Sequence, residues 1–105
     1  MSTLGPLRWE RSETNGLPTL RFFGEIDMST AEELDSAFQQ VRDGTSDLLL
    51  DLRGITFMDS TGISAVVGVH QSLEREGRRL LVATSDPVSR VFEITGLLEK
   101  LNILE

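Results

Sequence analysis

The sequence predicts an α/β fold: a mixed sheet of about four to five strands that opens with a hairpin and is covered by three to four helices. Three observations carry that expectation. The chain has 105 residues, the length of one domain. Short apolar runs alternate with stretches of helical periodicity. Turn residues fall at Asn15-Gly16, Gly24, Gly44, Gly54, Gly77, Asp86-Pro87 and Gly96, so the elements and their connections are short.

The first strand is expected over residues 7–13, with Leu7, Trp9 and Arg11 on alternate positions. Asn15-Gly16 tolerates positive φ twice in succession and signals a two-residue hairpin. Residues 19–23 form its partner, and Pro18, which lacks an amide donor, belongs at that strand's start or on an edge. A helix follows Gly24-Glu25-Ile26-Asp27. Ser29 with Glu32, or Thr30 with Glu33, has capping-box spacing. Ala31, Leu34, Phe38 and Val41 make its apolar stripe, and Gly44 is the expected stop.

The run Leu48–Leu52 reads as a parallel strand covered on both faces. Gly54 and Ile55–Met58 lead from it into Asp59-Ser60-Thr61-Gly62 and a second helix. Ile63, Val66, Val67, His70 and Leu73 are expected on one side of that helix, and Gly77 ends it. Leu80–Ala83 is another buried strand. Ser85-Asp86-Pro87 starts a third helix with Val88, Val91 and Phe92 on its buried side, and Gly96 terminates it. Leu97-Leu98 and Leu101–Leu104 suggest a turn and a last short strand or frayed end. Helices crossing over between parallel strands must cover the sheet.

Composition excludes several classes of function. Ten Lys and Arg against 17 Asp and Glu give a formal charge of −7. Nucleic acid and anionic membrane surfaces both call for clustered cations, so neither is an expected partner. With no cysteine and a single histidine, the chain offers no disulfide, thiolate nucleophile or multi-histidine metal centre. No cofactor is expected. No apolar run approaches the ~20 residues of a membrane span. Residues 1–10 lack a basic stretch followed by an apolar one, so no signal peptide is expected and the cytoplasm is the expected location.

The segment Phe57-Met58-Asp59-Ser60-Thr61-Gly62 carries the chemistry. A strand points into a loop that opens a helix, whose first amides point outward with partial positive charge. On residue types alone, Asp59 or Ser60 is sufficiently explained as an N-cap; the same amides also hold a phosphate. A nucleophile elbow is not formed by Gly62-Ile63-Ser64-Ala65-Val66, which lacks the closing glycine. His70 lies ten residues after Ser60, too far along one helix to activate it. The single lysine, Lys100, argues against Schiff-base chemistry. Glu25, Asp27 and Asp59 are read as solvated or capping acids before they are read as a metal site.

These residues also carry a resemblance. Gly24-Glu25-Ile26-Asp27, the strand Leu48–Leu52, Phe57-Met58-Asp59-Ser60-Thr61-Gly62 and Val88-Ser89-Arg90-Val91-Phe92 together resemble the STAS domain, and more narrowly the bacterial anti-sigma factor antagonists. The resemblance spans residues 7 to 104 and implies that residues 1–105 are a single STAS domain. Members usually continue into a C-terminal helix; with the sequence ending at Glu105, that helix is expected to be short or missing.

In that family the junction reads D-S-[ST]-G, and the serine after the aspartate is phosphorylated by the anti-sigma factor, a GHKL-type ATPase acting as a serine kinase. The resemblance therefore implies that Ser60 is the phospho-acceptor, and that Asp27, Asp59, Thr61 and Gly62 join it in the partner-binding face. It implies a Ser/Thr phosphatase for reactivation and no catalytic activity of this chain's own. Stand-alone STAS domains also resemble accessory subunits of lipid-transport ATPase complexes, where the same loop carries a hydroxyl without required phosphorylation.

Overall fold

The computed structural model describes residues 7–41, 44–97 and 99–104. The elements are β1 (Leu7–Thr14), β2 (Leu17–Ile26), α1 (Ala31–Gln39), β3 (Leu48–Met58), α2 (Ser60–Arg75), β4 (Leu80–Thr84), α3 (Asp86–Ile94) and β5 (Asn102–Leu104). This is the expected order. Asn15 and Gly16 take φ of 51° and 85° and close the hairpin between antiparallel β1 and β2. Pro18 sits one residue before parallel pairing with β3 begins at Thr19, so its missing amide costs that ladder nothing.

The five strands lie in the order β1-β2-β3-β4-β5, with β2 to β5 mutually parallel. Right-handed crossovers that always step to the next strand place every helix on the same face. The core shows this. Leu34 and Phe38 of α1, Val66 and Leu73 of α2, and Val88 and Phe92 of α3 join one cluster with alternate strand residues such as Leu20, Phe22, Leu50, Leu52 and Val82.

Residues 48–52 are all buried, so β3 is covered on both faces as expected, although the core shared with the helices lies on one of them. On the other face Asp51 stands across the ladder from Arg21 of β2. Asp51 is buried there, with Arg21 Nε at 3.0 Å and Arg53 Nη2 at 2.9 Å from its Oδ2. Burial pushes the Asp51 carboxyl up, but hydrogen bonds from Arg53 and then Arg21 outweigh it and hold the group below the ordinary carboxylate value.

Other boundaries shift for local reasons. Strand β3 runs through Gly54 to Met58 instead of ending at Leu52. Gly54 marks a register shift against β2, where a Cβ would stand 2.5 Å from Phe23 Cδ1 and 2.8 Å from the Phe22 carbonyl oxygen. Helix α1 ends at Gln39, well before Gly44, and its capping box does not form. Helix α2 buries Gly62, Val66, Val69 and Leu73, which leaves Val67 and His70 half-buried at the margin of the stripe. The helix is rolled this way because its first turn lies against the sheet through Gly62. Gly77 and Gly96 close α2 and α3 as expected, each with the paired 6→1 and 5→2 hydrogen bonds of a Schellman end. Leu98 and the chain beyond Leu104, where the C-terminal expectation falls, lie outside the described residues. Among those residues, no helix is long and apolar enough to cross a membrane.

Candidate functional site

Parallel strands bring their carboxyl ends to one edge of the sheet. The loops after β2 and β3 are neighbours there, and the Asp59 amide donates to the Ile26 carbonyl at 3.1 Å. This bond places the loop Asp27–Thr30 beside the junction Asp59–Gly62.

Asp59 is the N-cap of α2, in extended backbone. Its Oδ1 accepts from the amides of Thr61 at 2.9 Å and Gly62 at 3.4 Å, and from the Thr61 hydroxyl. The Thr61 hydroxyl is the main reason the Asp59 carboxyl lies below its ordinary value; burial and the Asp27 charge oppose this. Asp27 is held likewise by Ser29, whose hydroxyl and amide donate to its Oδ1 at 2.7 and 2.9 Å and lower its pKa. Two carboxylates thus face one another's field and both stay ionised at neutral pH.

Ser60 occupies the first position of α2 and is exposed. Among the described residues its hydroxyl has no hydrogen-bond partner. Gly62 is buried beneath it. A Cβ there would come within 2.7 Å of both Ile26 Cγ2 and Met58 Cγ, so the glycine lets the helix start press against the ends of β2 and β3. The expected residues Asp27, Asp59, Ser60, Thr61 and Gly62 are therefore brought to one place.

Thr30 is the residue that sequence reasoning misassigned. Its hydroxyl donates to the Glu25 carbonyl oxygen and accepts from the Asp27 amide, both at 2.9 Å, and so ties down the Asp27 turn in place of capping α1. Sequence reasoning passed over Met28 and read Phe57 only as part of the junction motif; the two are 81% and 48% exposed. An apolar residue inside the polar stretch Asp27–Thr30 was the available signal for Met28.

His70 sits two to three turns along α2, with Nε2 3.6 Å from Glu74 Oε2. Among the described residues no group of three or more His, Asp or Glu side chains is arranged to hold a metal ion. What the arrangement offers is an accessible hydroxyl directly after the capping carboxylate of Asp59, whose charge lies in the field of Asp27.

Comparison with known proteins agrees with this geometry. The STAS domain family matches residues 8–105. An anti-sigma-B factor antagonist of Staphylococcus aureus is 37% identical over 84 residues, 78% of each chain. An anti-sigma factor antagonist from Mycobacterium paratuberculosis superposes with a TM-score of 0.81 at 25% identity, over 92% of this chain and 84% of its own. The anti-sigma factor antagonist SpoIIAA in its unphosphorylated form has a TM-score of 0.70 at 20% identity, over 93% and 88%. The five-stranded sheet with its helices is thus the STAS architecture, and the chain belongs to the STAS domain family, among the anti-sigma factor antagonists.

Proposed function

We propose that this protein is an anti-sigma factor antagonist that acts by partner switching in the cytoplasm. The unphosphorylated form binds a kinase-type anti-sigma factor, a GHKL-type ATPase, and so frees a sigma factor. Phosphorylation of Ser60 ends that binding, and a Ser/Thr phosphatase restores it. The observation that carries this reading is the Ser60 hydroxyl: exposed, unengaged among the described residues, and flanked by Asp27 and Asp59.

The physics of the switch follows from the cap. A phosphate on Ser60 adds about −1.5 to −2 charges. Helix amides ordinarily welcome an anion, but here Asp59 already takes those of Thr61 and Gly62. The phosphate therefore stands in water beside two carboxylates and turns the rim strongly negative. The fold should survive, because the Ser60 hydroxyl makes no hydrogen bond among the described residues. A loss of ~3 kcal/mol in binding weakens a complex more than a hundredfold. The chain itself supplies the acceptor hydroxyl and the docking face; the nucleotide chemistry belongs to the partner.

The test uses Ser60→Ala and Ser60→Glu forms as bait in lysate of the source organism, with mass spectrometry of what each retains. Retention of an anti-sigma ATPase by the Ala form alone, followed by ATP-dependent phosphorylation of wild type but not of Ser60→Ala by that purified ATPase, supports the reading. Retention of one transporter ATPase by both forms overturns it in favour of an accessory-subunit role.

A further inference from the structure

Four large apolar side chains stand exposed among the described residues: Met28, Phe57, Ile94 and Leu104. Single exposed apolar residues are ordinary on any surface. The placement of two of them is not. Met28 directly follows Asp27, and Phe57 lies two residues before Asp59. Phe57 pairs with Glu25 across the β2–β3 ladder, and Glu25 is three residues from Met28. Chain geometry therefore keeps their Cα atoms within about 16 Å of each other. That span fits inside one partner footprint of roughly 800 Å².

Neither exposure is a by-product of a loose loop. Asp27 is clamped through Ser29, and Thr30 ties the same turn to Glu25. Phe57 sits in a strand whose next residue, Met58, is buried. Both side chains are thus held at the rim at a fixed cost in water contact. Interface cores are enriched in Met and aromatic residues and depleted in charge, and a few such anchors dominate binding.

We propose that Met28 and Phe57 are the apolar anchors of the partner interface. They seat in apolar pockets of the anti-sigma factor, with a cationic group of that factor between them meeting Asp27 and Asp59. The inference rests on the proposed function and adds a division of labour to it. The carboxylates and the phosphate set the charge that switches binding, whereas the two anchors supply affinity that does not titrate.

The experiment titrates the purified anti-sigma factor, recovered as above, into the full chain by calorimetry at low salt and at about 0.5 M NaCl, where exposed charges are screened. Wild type and Ser60→Glu are measured first. If their affinities are equal, the switch reading fails and this inference fails with it. Where they differ, Met28→Gln and Phe57→Gln are each expected to lose about tenfold in affinity, by the same factor at both salt concentrations. Ile94→Gln, 78% exposed and remote on α3, should bind as wild type does. Because Met28 is the more exposed of the two, Met28→Gln keeps the test decisive should Phe57→Gln unfold. Undiminished affinity of Met28→Gln, or a loss shared by Ile94→Gln, overturns the proposal and leaves the switch standing. A loss that vanishes at high salt also overturns it, since the contact would then be electrostatic.

Discussion

Ser60 and Ser85 are two serines at two helix starts, and their hydroxyls have opposite fates. Ser85 is itself the N-cap of α3. Its Oγ donates to the Ile55 carbonyl oxygen at 2.6 Å and accepts from the Val88 amide at 3.4 Å, which fastens α3 to β3. Ser60 sits one position further in. Asp59 holds the capping place before it and takes the amides of Thr61 and Gly62. A serine at a helix start is structural when it is the cap and available for chemistry when something else is.

The largest effect expected from this contrast is on binding. Ser60→Glu should weaken the anti-sigma complex by about a hundredfold, or ~3 kcal/mol, while leaving the melting temperature nearly unchanged. Calorimetry with thermal unfolding reads both. A Ser60→Glu protein that binds normally would remove charge as the switch. Ser85→Ala is expected to do the reverse: binding kept, stability reduced.

The next effect separates two glycines of α2. At Gly62 a new Cβ meets Ile26 and Met58 at 2.7 Å, whereas at Gly68 nothing lies within 4 Å. Gly62→Ala should cost about 1–3 kcal/mol by forcing those buried side chains apart. Gly68→Ala should add about 0.4–1 kcal/mol by lowering the entropy of the unfolded chain. Equal responses in chemical denaturation would show that the junction is not pressed against the sheet.

The serines themselves come third. Ser85→Ala should cost ~1 kcal/mol for the lost cap, and Ser60→Ala should stay within about 0.5 kcal/mol of wild type. If Ser60→Ala costs as much as Ser85→Ala, its hydroxyl is engaged and the comparison breaks.

Much of this architecture was legible in the sequence, because its punctuation is backbone chemistry. Asn15-Gly16, Gly77 and Gly96 all take positive φ where a turn or helix end requires it. Ser85-Asp86-Pro87 starts α3 as those residue types demand. The one-sided sheet was not legible. The run Leu48–Leu52 is apolar enough for helices on both faces, but Asp51 in its middle is neutralised by Arg53, two residues on, and by Arg21, thirty residues away. Thr30 was misread for a similar reason. Its capping-box spacing is local, and its actual partners are the backbone of Glu25 and Asp27, whose position depends on the end of β2. At the site, residue types located the junction but not which of Asp59 and Ser60 spends itself on the amides. The extended backbone of Asp59 decides that.

The smallest effect tests the cap by pH. The Asp59 carboxyl titrates below its ordinary value near 3.8 in the folded protein, chiefly through the Thr61 hydroxyl, so folding favours its ionised form. The sign follows: the unfolded chain takes up the proton first as pH falls. Stability from the charged cap is therefore complete above the unfolded value and is lost as pH falls through the lowered folded one. Asn caps a helix nearly as well as Asp and does not titrate. The melting temperature of wild type should exceed that of Asp59→Asn at neutral pH, and the gap should close in the acid range below about pH 4. Asp27, Asp47 and Asp51 are lowered too and contribute to acid unfolding of both proteins, so only the difference between the two reports Asp59. A gap that stays constant down to about pH 2.5 would mean that the Asp59 charge does not hold the helix start, and the freedom of Ser60 would then need another cause.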